Sequence, residues 1–112
     1  MGVTIYHNPK CSKSRQTLSI LRENGIKPEI IEYMNFSINA SELKSIIKKL
    51  GVKPRDTVSS KEAKEEGIEH SQNGDDLIAA IVAHPRILQR PIVIKGKKAV
   101  IGRPPETVLE IL

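Results

Sequence analysis

Aromatic residues are scarce in this chain, which limits what its core and its surface can do. It has no tryptophan, one phenylalanine and two tyrosines among 112 residues, so aromatics make up only 3%. The core must therefore be built mainly from isoleucine, leucine and valine, and few rings remain to stack on nucleic-acid bases. The net charge of +5 comes from basic residues interspersed with acidic ones. We therefore expect no nucleic-acid partner.

Long apolar runs and paired cysteines are also lacking. No apolar run approaches the roughly 20 residues that cross a bilayer, and the amino-terminal sequence does not resemble a signal peptide. The single cysteine, Cys11, cannot form an internal disulfide, and the three histidines are dispersed. Secretion and a metal site are therefore not indicated. We expect a cytoplasmic protein with no membrane contact, no metal and no bound cofactor.

The first third of the chain predicts a strand–helix–strand unit within one domain that covers residues 1–112. Strands are predicted at 3–6 and 29–33, where β-branched residues cluster. The amphipathic run 12–24 predicts a helix between them, which ends at Gly25. A strand–helix–strand order favours parallel pairing of the two strands.

A helical insert is predicted next. Asn39 and Glu42 are spaced as in a capping box and predict a helix that continues to Leu50. The polar segment 52–67 predicts one or two short helices. The apolar stripe of 75–84 predicts another helix.

The last part of the chain predicts a hairpin followed by a helix. The β-type runs 92–94 and 99–101 flank a turn at Lys95-Gly96-Lys97, and the segment 105–112 is predicted to be helical. The whole order is β-α-β, a helical insert, then β-β-α. It predicts an α/β protein with the thioredoxin-like fold, in which a four-stranded mixed sheet carries flanking helices.

Cys11 stands where the first predicted strand gives way to the first predicted helix. A helix amino terminus supplies unpaired N–H groups and a positive partial charge, and both favour a thiolate. Lys10, Lys13 and Arg15 add positive charge nearby. A protonated His7 would add more. Because the same features bind oxyanions, the segment predicts a nucleophilic thiol that acts on an anionic substrate.

Three blocks of this sequence resemble those of one enzyme family. They are 7–15 (HNPKCSKSR), 90–93 (RPIV) and 102–106 (GRPPE). Together they resemble the active-site loop and two downstream blocks of the glutaredoxin-dependent arsenate reductase family, in the same order and over nearly the whole chain. The resemblance is greatest to short, often uncharacterised members. The broader family also includes regulators that bind RNA polymerase, so membership alone does not prove the activity.

The resemblance implies a mechanism and a set of site residues. Cys11 would attack the arsenic of arsenate, glutathione would attack the adduct, and glutaredoxin would reduce it and release arsenite. His7 would lower the pKa of Cys11, and Ser14 would hydrogen-bond the thiolate. Pro91 would follow a cis peptide bond beside the active-site loop. The residues implied in substrate binding are Asn8, Arg15, Arg90 and Arg103.

One departure from the family pattern leaves two alternatives open. A third arginine of well-studied members falls on Ser59 here, and Arg55 or Lys61 would have to supply its charge. The first alternative is a glutathione-dependent thiol–disulfide oxidoreductase with one active thiol. The missing arginine favours it, because thiol–disulfide exchange needs no oxyanion clamp. The second is a non-enzymatic transcription regulator. It is disfavoured because Ser14 replaces the second cysteine of a Cys-x-x-Cys switch.

Overall fold

The computed structural model of the protein describes residues 2–35, 38–68 and 74–112. It contains two compact units, one formed by Met1–Phe36 with Arg90–Leu112 and the other by Ser37–Gln89. A single domain over 1–112 therefore stays a prediction. Within the described ranges, every helix is too short or too polar to cross a membrane.

The first unit contains a four-stranded mixed sheet with the strand order β2-β1-β3-β4. Its elements are β1 (Val3–Tyr6), α1 (Ser12–Glu23), β2 (Glu29–Ile31), β3 (Ile92–Lys95), β4 (Lys98–Ile101) and a 3₁₀ helix (Pro105–Ile111). Strand β1 pairs in parallel with β2, and β3 pairs antiparallel with both β1 and β4. Both the parallel β-α-β unit and the hairpin were predicted. This arrangement is the sheet of the thioredoxin-like fold.

One apolar cluster joins this sheet to α1 and to the carboxyl-terminal 3₁₀ helix. Alternate strand residues share a face of the sheet, and helix residues three apart share a face of the helix. The cluster consists of Val3, Ile5, Leu18, Leu21, Val93, Val108 and Ile111. Burial of each such side chain stabilises the fold by about 1.5–3 kcal/mol. The cluster therefore holds α1 against the sheet and fixes where its amino terminus lies.

Strand β2 is shorter than predicted. The backbone N–H of His7 donates to the carbonyl of Ile31 (2.8 Å), and a turn begins at the next residue, where the N–H of Asn35 donates to the carbonyl of Glu32 (2.9 Å). Tyr33 is buried but lies in this turn rather than in the strand. The turn places the segment after β2 beside the segment after β1, since the two strands are parallel neighbours.

The second unit is helical, as predicted for the insert. Its elements are α2 (Ala40–Leu50), a 3₁₀ helix (Pro54–Thr57), α3 (Ser60–Glu65), α4 (Gly74–Ala83) and a second 3₁₀ helix (Pro85–Ile87). The side chain of Asn39 accepts from the backbone N–H of Glu42 (2.8 Å), so the predicted cap of α2 is present. Gly51 ends that helix in the left-handed region, with φ of +69°, which glycine adopts without a steric penalty.

The position of the family's third arginine lies in this second unit. Ser59 directly precedes α3, and its hydroxyl donates a hydrogen bond to the carboxylate of Glu62. Arg55 lies in the first 3₁₀ helix, and Lys61 is exposed in α3. A substituting role for either cation stays a prediction.

Candidate active site

Cys11 is the residue that caps the amino end of α1. Its backbone is extended, and its N–H donates to the carbonyl of Asn8 (3.0 Å), which closes a tight turn after β1. The Cys11 carbonyl accepts from the N–H of Arg15 (3.1 Å) as the first helical bond. The thiol is half-buried. Cys11 therefore lies at the strand–helix junction that the sequence predicted.

The surroundings of this thiol lower its pKa. Burial has the largest single effect and raises the pKa, because it disfavours the charged form. The backbone N–H groups of Ser14 and Lys13 act against burial, as does the guanidinium of Arg90, and the net pKa falls below that of an ordinary thiol. A larger fraction of Cys11 is therefore thiolate, and nucleophilic, near neutral pH.

Arg103 and Arg90 bring two guanidinium groups to the sulfur. Nη2 of Arg103 lies 3.5 Å from Sγ of Cys11, and its Nε donates to the backbone carbonyl of Arg90 (2.7 Å). Both arginines precede cis-prolines, Pro91 and Pro104. The cis bond at Pro91 was predicted, and the one at Pro104 was not. Two planar forks beside a thiolate match a tetrahedral oxyanion.

Gly102 allows these two arginine–proline turns to pack together. Its N–H donates to the carbonyl of Pro91 (2.9 Å). A Cβ at this position would lie 2.6 Å from Oγ1 of the buried Thr17 and 2.9 Å from Cγ of Pro91. The sequence pattern alone did not indicate these roles of Gly102 and Thr17. The available signal was a glycine directly before the second Arg-Pro pair, which is where close backbone approach is needed.

We expect Gly102→Ala to destabilise the fold and displace Arg103. The added methyl overlaps Thr17 and Pro91, and such overpacking costs about 1–3 kcal/mol. Urea unfolding should show a lower midpoint with an unchanged slope. Gly2→Ala is the control, since a Cβ at Gly2 would meet nothing within 4 Å. Equal midpoints for Gly102→Ala and wild type would contradict the close packing.

His7 and Ser14 form a buried hydrogen-bonded pair under the loop. His7 is 5% exposed and Ser14 is fully buried. Nδ1 of His7 lies 2.6 Å from Oγ of Ser14, which also accepts from the N–H of Asn8 (3.0 Å). The Ser14 hydroxyl is therefore engaged with His7 and Asn8, and the group that Ser14 offers to the Cys11 sulfur is its backbone N–H.

A protonated His7 was considered from the sequence, but the burial of this ring favours its neutral form. Burial is the largest effect and lowers the pKa of His7. The carboxylate of Glu32 is next and raises it, the cations of Arg22 and Arg15 lower it, and the net pKa is lowered. The ring is neutral at pH 7 because its ordinary pKa is already about 6.5. His7 thus adds no positive charge beside Cys11. It holds Ser14, and through Ser14 the first turn of α1.

The buried neutral imidazole makes stability fall in acid. The unfolded chain binds a proton at His7 below about pH 6.5, whereas the folded chain resists it until a lower pH. This contribution is complete above pH 6.5 and is lost as the pH falls through the depressed pKa. We expect the free energy of unfolding, measured in urea, to fall less between pH 7 and 5 in His7→Asn than in wild type. Wild type, measured in the same buffers, gives the reference slope. A wild-type slope in His7→Asn would contradict the neutral assignment.

The side chains of Asn8 and Arg15 bond to the backbone of the loop. Oδ1 of Asn8 accepts from the N–H of Lys10 (3.0 Å), and Nη1 of Arg15 donates to the carbonyl of Pro9 (2.9 Å). Both side chains brace the turn before Cys11, and their part in substrate binding stays a prediction. In the ranges that the structure describes, no group of three or more His, Cys, Asp or Glu side chains could hold a metal ion.

The family of this chain can be identified from its similarity to known proteins. The sequence profile of the ArsC family matches residues 6–111. An arsenate reductase of Haemophilus influenzae is 48% identical over all of both chains. An uncharacterised protein of Escherichia coli K12 is 46% identical over 98% of this chain and 96% of that protein. The solved structure of an arsenate reductase from Vibrio cholerae has a TM-score of 0.90 and 42% identity, and the match covers 100% of this chain and 98% of that one. The chain belongs to the ArsC family and has its thioredoxin-like fold.

Proposed function

We propose that this protein reduces arsenate to arsenite through a covalent bond between Cys11 and arsenic, with glutathione and glutaredoxin as electron donors. The observation that carries the proposal is the thiol of Cys11, whose pKa is lowered and whose sulfur lies 3.5 Å from Nη2 of Arg103. The relatives named arsenate reductases support the choice of substrate. A reducing cytoplasm supplies the two donor thiols.

Arsenate binding requires positive charge at the sulfur. The guanidinium groups of Arg90 and Arg103 donate to the arsenate oxygens, and the unpaired N–H groups at the start of α1 add to the attraction. Because arginine does not deprotonate, this charge persists across the physiological pH range. The arginines also neutralise the repulsion between an anionic substrate and a thiolate nucleophile.

The first two steps build sulfur–arsenic bonds. The Cys11 thiolate attacks As(V), a Cys11 S–As bond forms, and one arsenate oxygen leaves as water after taking up protons. A glutathione thiol then attacks the same arsenic, a second S–As bond forms, and a second water leaves. Arsenic remains As(V) through both steps, since each exchanges an oxygen ligand for a sulfur ligand.

Reduction follows when a glutaredoxin thiolate attacks the glutathione sulfur. The S–S bond of a glutaredoxin–glutathione mixed disulfide forms, and the glutathione S–As bond breaks with its electron pair left on arsenic, which becomes As(III). Water then displaces the Cys11 sulfur, and arsenite leaves with the thiol regenerated. External thiols are needed because Cys11 is the chain's only cysteine.

The experiment that tests this proposal is arsenite formation by purified protein, with glutathione or glutaredoxin left out in turn. The complete mixture should form arsenite over many turnovers, and each omission should reduce the rate at least about tenfold. Arsenite formation at full rate without glutaredoxin would overturn the assigned reductant. No arsenite under any condition would overturn the substrate.

Monothiol exchange on glutathione mixed disulfides is the second candidate. The buried Ser14 hydroxyl, bonded to His7, occupies the place of a resolving cysteine, so Cys11 can form only mixed disulfides with other molecules. Arg103→Ala separates the candidates, because thiol exchange needs no oxyanion clamp. This candidate would be favoured if wild type formed no arsenite and if Arg103→Ala turned over a glutathionylated peptide as fast as wild type.

A further inference from the structure

A cavity borders the active-site loop on the side of β2. It has a volume of about 210 Å³ and is lined by Asn8, Pro9, Lys10, Glu32, Met34 and Asn35. We call it the loop cavity. Its walls are the segments that follow β1 and β2, two parallel neighbouring strands, and ligands of α/β sheets bind beyond the carboxyl ends of such strands. None of the proposed steps of arsenate reduction involves this cavity.

The loop cavity carries one charge of each sign. Lys10 is its cation and Glu32 its carboxylate. Asn35 donates from Nδ2 to Oε1 of Glu32 (3.4 Å), which orients the carboxylate. Met34, 43% exposed, adds a flexible apolar wall. A lysine and a glutamate across a small cavity suit a ligand that carries both a carboxylate and an ammonium group.

We infer that the loop cavity binds the γ-glutamyl head of glutathione, an inference that rests on the proposed function. Glutathione has one ammonium group, and it lies beside a carboxylate in that head. Glu32 would accept from the ammonium, and Lys10 would donate to the carboxylate. Lys10 directly precedes Cys11, so their Cα atoms lie about 3.8 Å apart. A head held at Lys10 leaves the glutathione thiol within a tripeptide's reach of the arsenic on Cys11.

A second groove beside the active site fits glutathione less well. It runs along α1, has a volume of about 510 Å³, and is lined by Lys13, Glu23 and Glu106 among others. Two carboxylates against one lysine repel a ligand that is itself anionic, since glutathione carries two carboxylates and one ammonium. Charge therefore favours the loop cavity.

The test uses S-methylglutathione, an unreactive analogue, so that binding is measured without turnover. Isothermal titration should show that Glu32→Gln weakens its binding at least about tenfold relative to wild type. Glu29→Gln, on the exposed part of β2, is the matched control and should bind within twofold of wild type. Failure of wild type to bind, or equal binding by Glu32→Gln, would overturn the inference.

A kinetic comparison extends the test to the reaction. Cysteinylglycine is glutathione without its γ-glutamyl head. Wild type should prefer glutathione by kcat/KM at least about tenfold, Glu32→Gln should lose most of that preference, and the KM for arsenate should change less than twofold. An unchanged preference would overturn the inference. If wild type forms no arsenite but Glu32→Gln still weakens the binding of S-methylglutathione, the proposed function is wrong and the glutathione site is supported.

Discussion

Cys11→Ser is expected to form no arsenite above the rate without enzyme, a loss of at least about 1,000-fold. A serine hydroxyl stays protonated at neutral pH and is a poor nucleophile without an adjacent base. In this site the backbone N–H groups of Ser14 and Lys13 stabilise a thiolate rather than remove a proton from a hydroxyl. His7, the histidine of the active-site loop, is already bonded to Ser14. Arsenite is measured in the complete glutathione and glutaredoxin mixture.

Two controls separate this loss of chemistry from loss of fold. Cys11→Ser should unfold in urea near the wild-type midpoint, because the half-buried thiol and hydroxyl differ little in volume. Wild type alkylated at Cys11, its only cysteine, should be as inactive as the variant. Residual arsenite formation above about 0.1% of the wild-type rate in Cys11→Ser would contradict a covalent role for the thiol.

Arg103→Lys is expected to lower kcat/KM for arsenate about 100-fold, the second largest effect. Lysine keeps the charge but loses the planar fork, and it cannot both donate to the Arg90 carbonyl, as Nε does at 2.7 Å, and reach the Cys11 sulfur with a second nitrogen. Loss of one preorganised donor at a developing charge typically costs 100- to 1,000-fold. The alkylation rate of Cys11 should fall much less, because Arg90 and the helix N–H groups remain.

Arg22→Lys is the matched control for this substitution. Arg22 is exposed in the last turn of α1, and the change again preserves charge while it removes a guanidinium. Its kcat/KM should stay within about twofold of wild type. If Arg103→Lys behaves like Arg22→Lys, charge alone suffices at position 103, and the fork-shaped recognition of arsenate is wrong.

The sequence predicted the parts of the site that depend on local pattern. Cys11 could be placed at a helix start because β-type residues precede it and an amphipathic run follows it. The helix α2 could be delimited because Asn39 and Gly51 carry their capping chemistry locally. The cis-proline at position 91 followed from the family resemblance and not from any local signal.

The features that were missed depend on contacts between distant segments. The neutral state of His7 follows from its burial, which the sequence around it does not reveal. The role of Gly102 depends on Thr17 and Pro91, which approach it only in the folded sheet. The end of β2 at Ile31 is set by its pairing with β1 and by the turn that follows, although the apolar pattern continues to Tyr33.

The most direct test of the central claim is the rate at which iodoacetamide alkylates Cys11 as a function of pH, with and without arsenate. The claim is that one residue supplies a stabilised thiolate beside an oxyanion site. It predicts a rate midpoint at lower pH than that of an unstructured cysteine peptide alkylated in parallel, and saturable protection by arsenate. A midpoint equal to or above that of the peptide, or no protection by arsenate at any concentration, would contradict it.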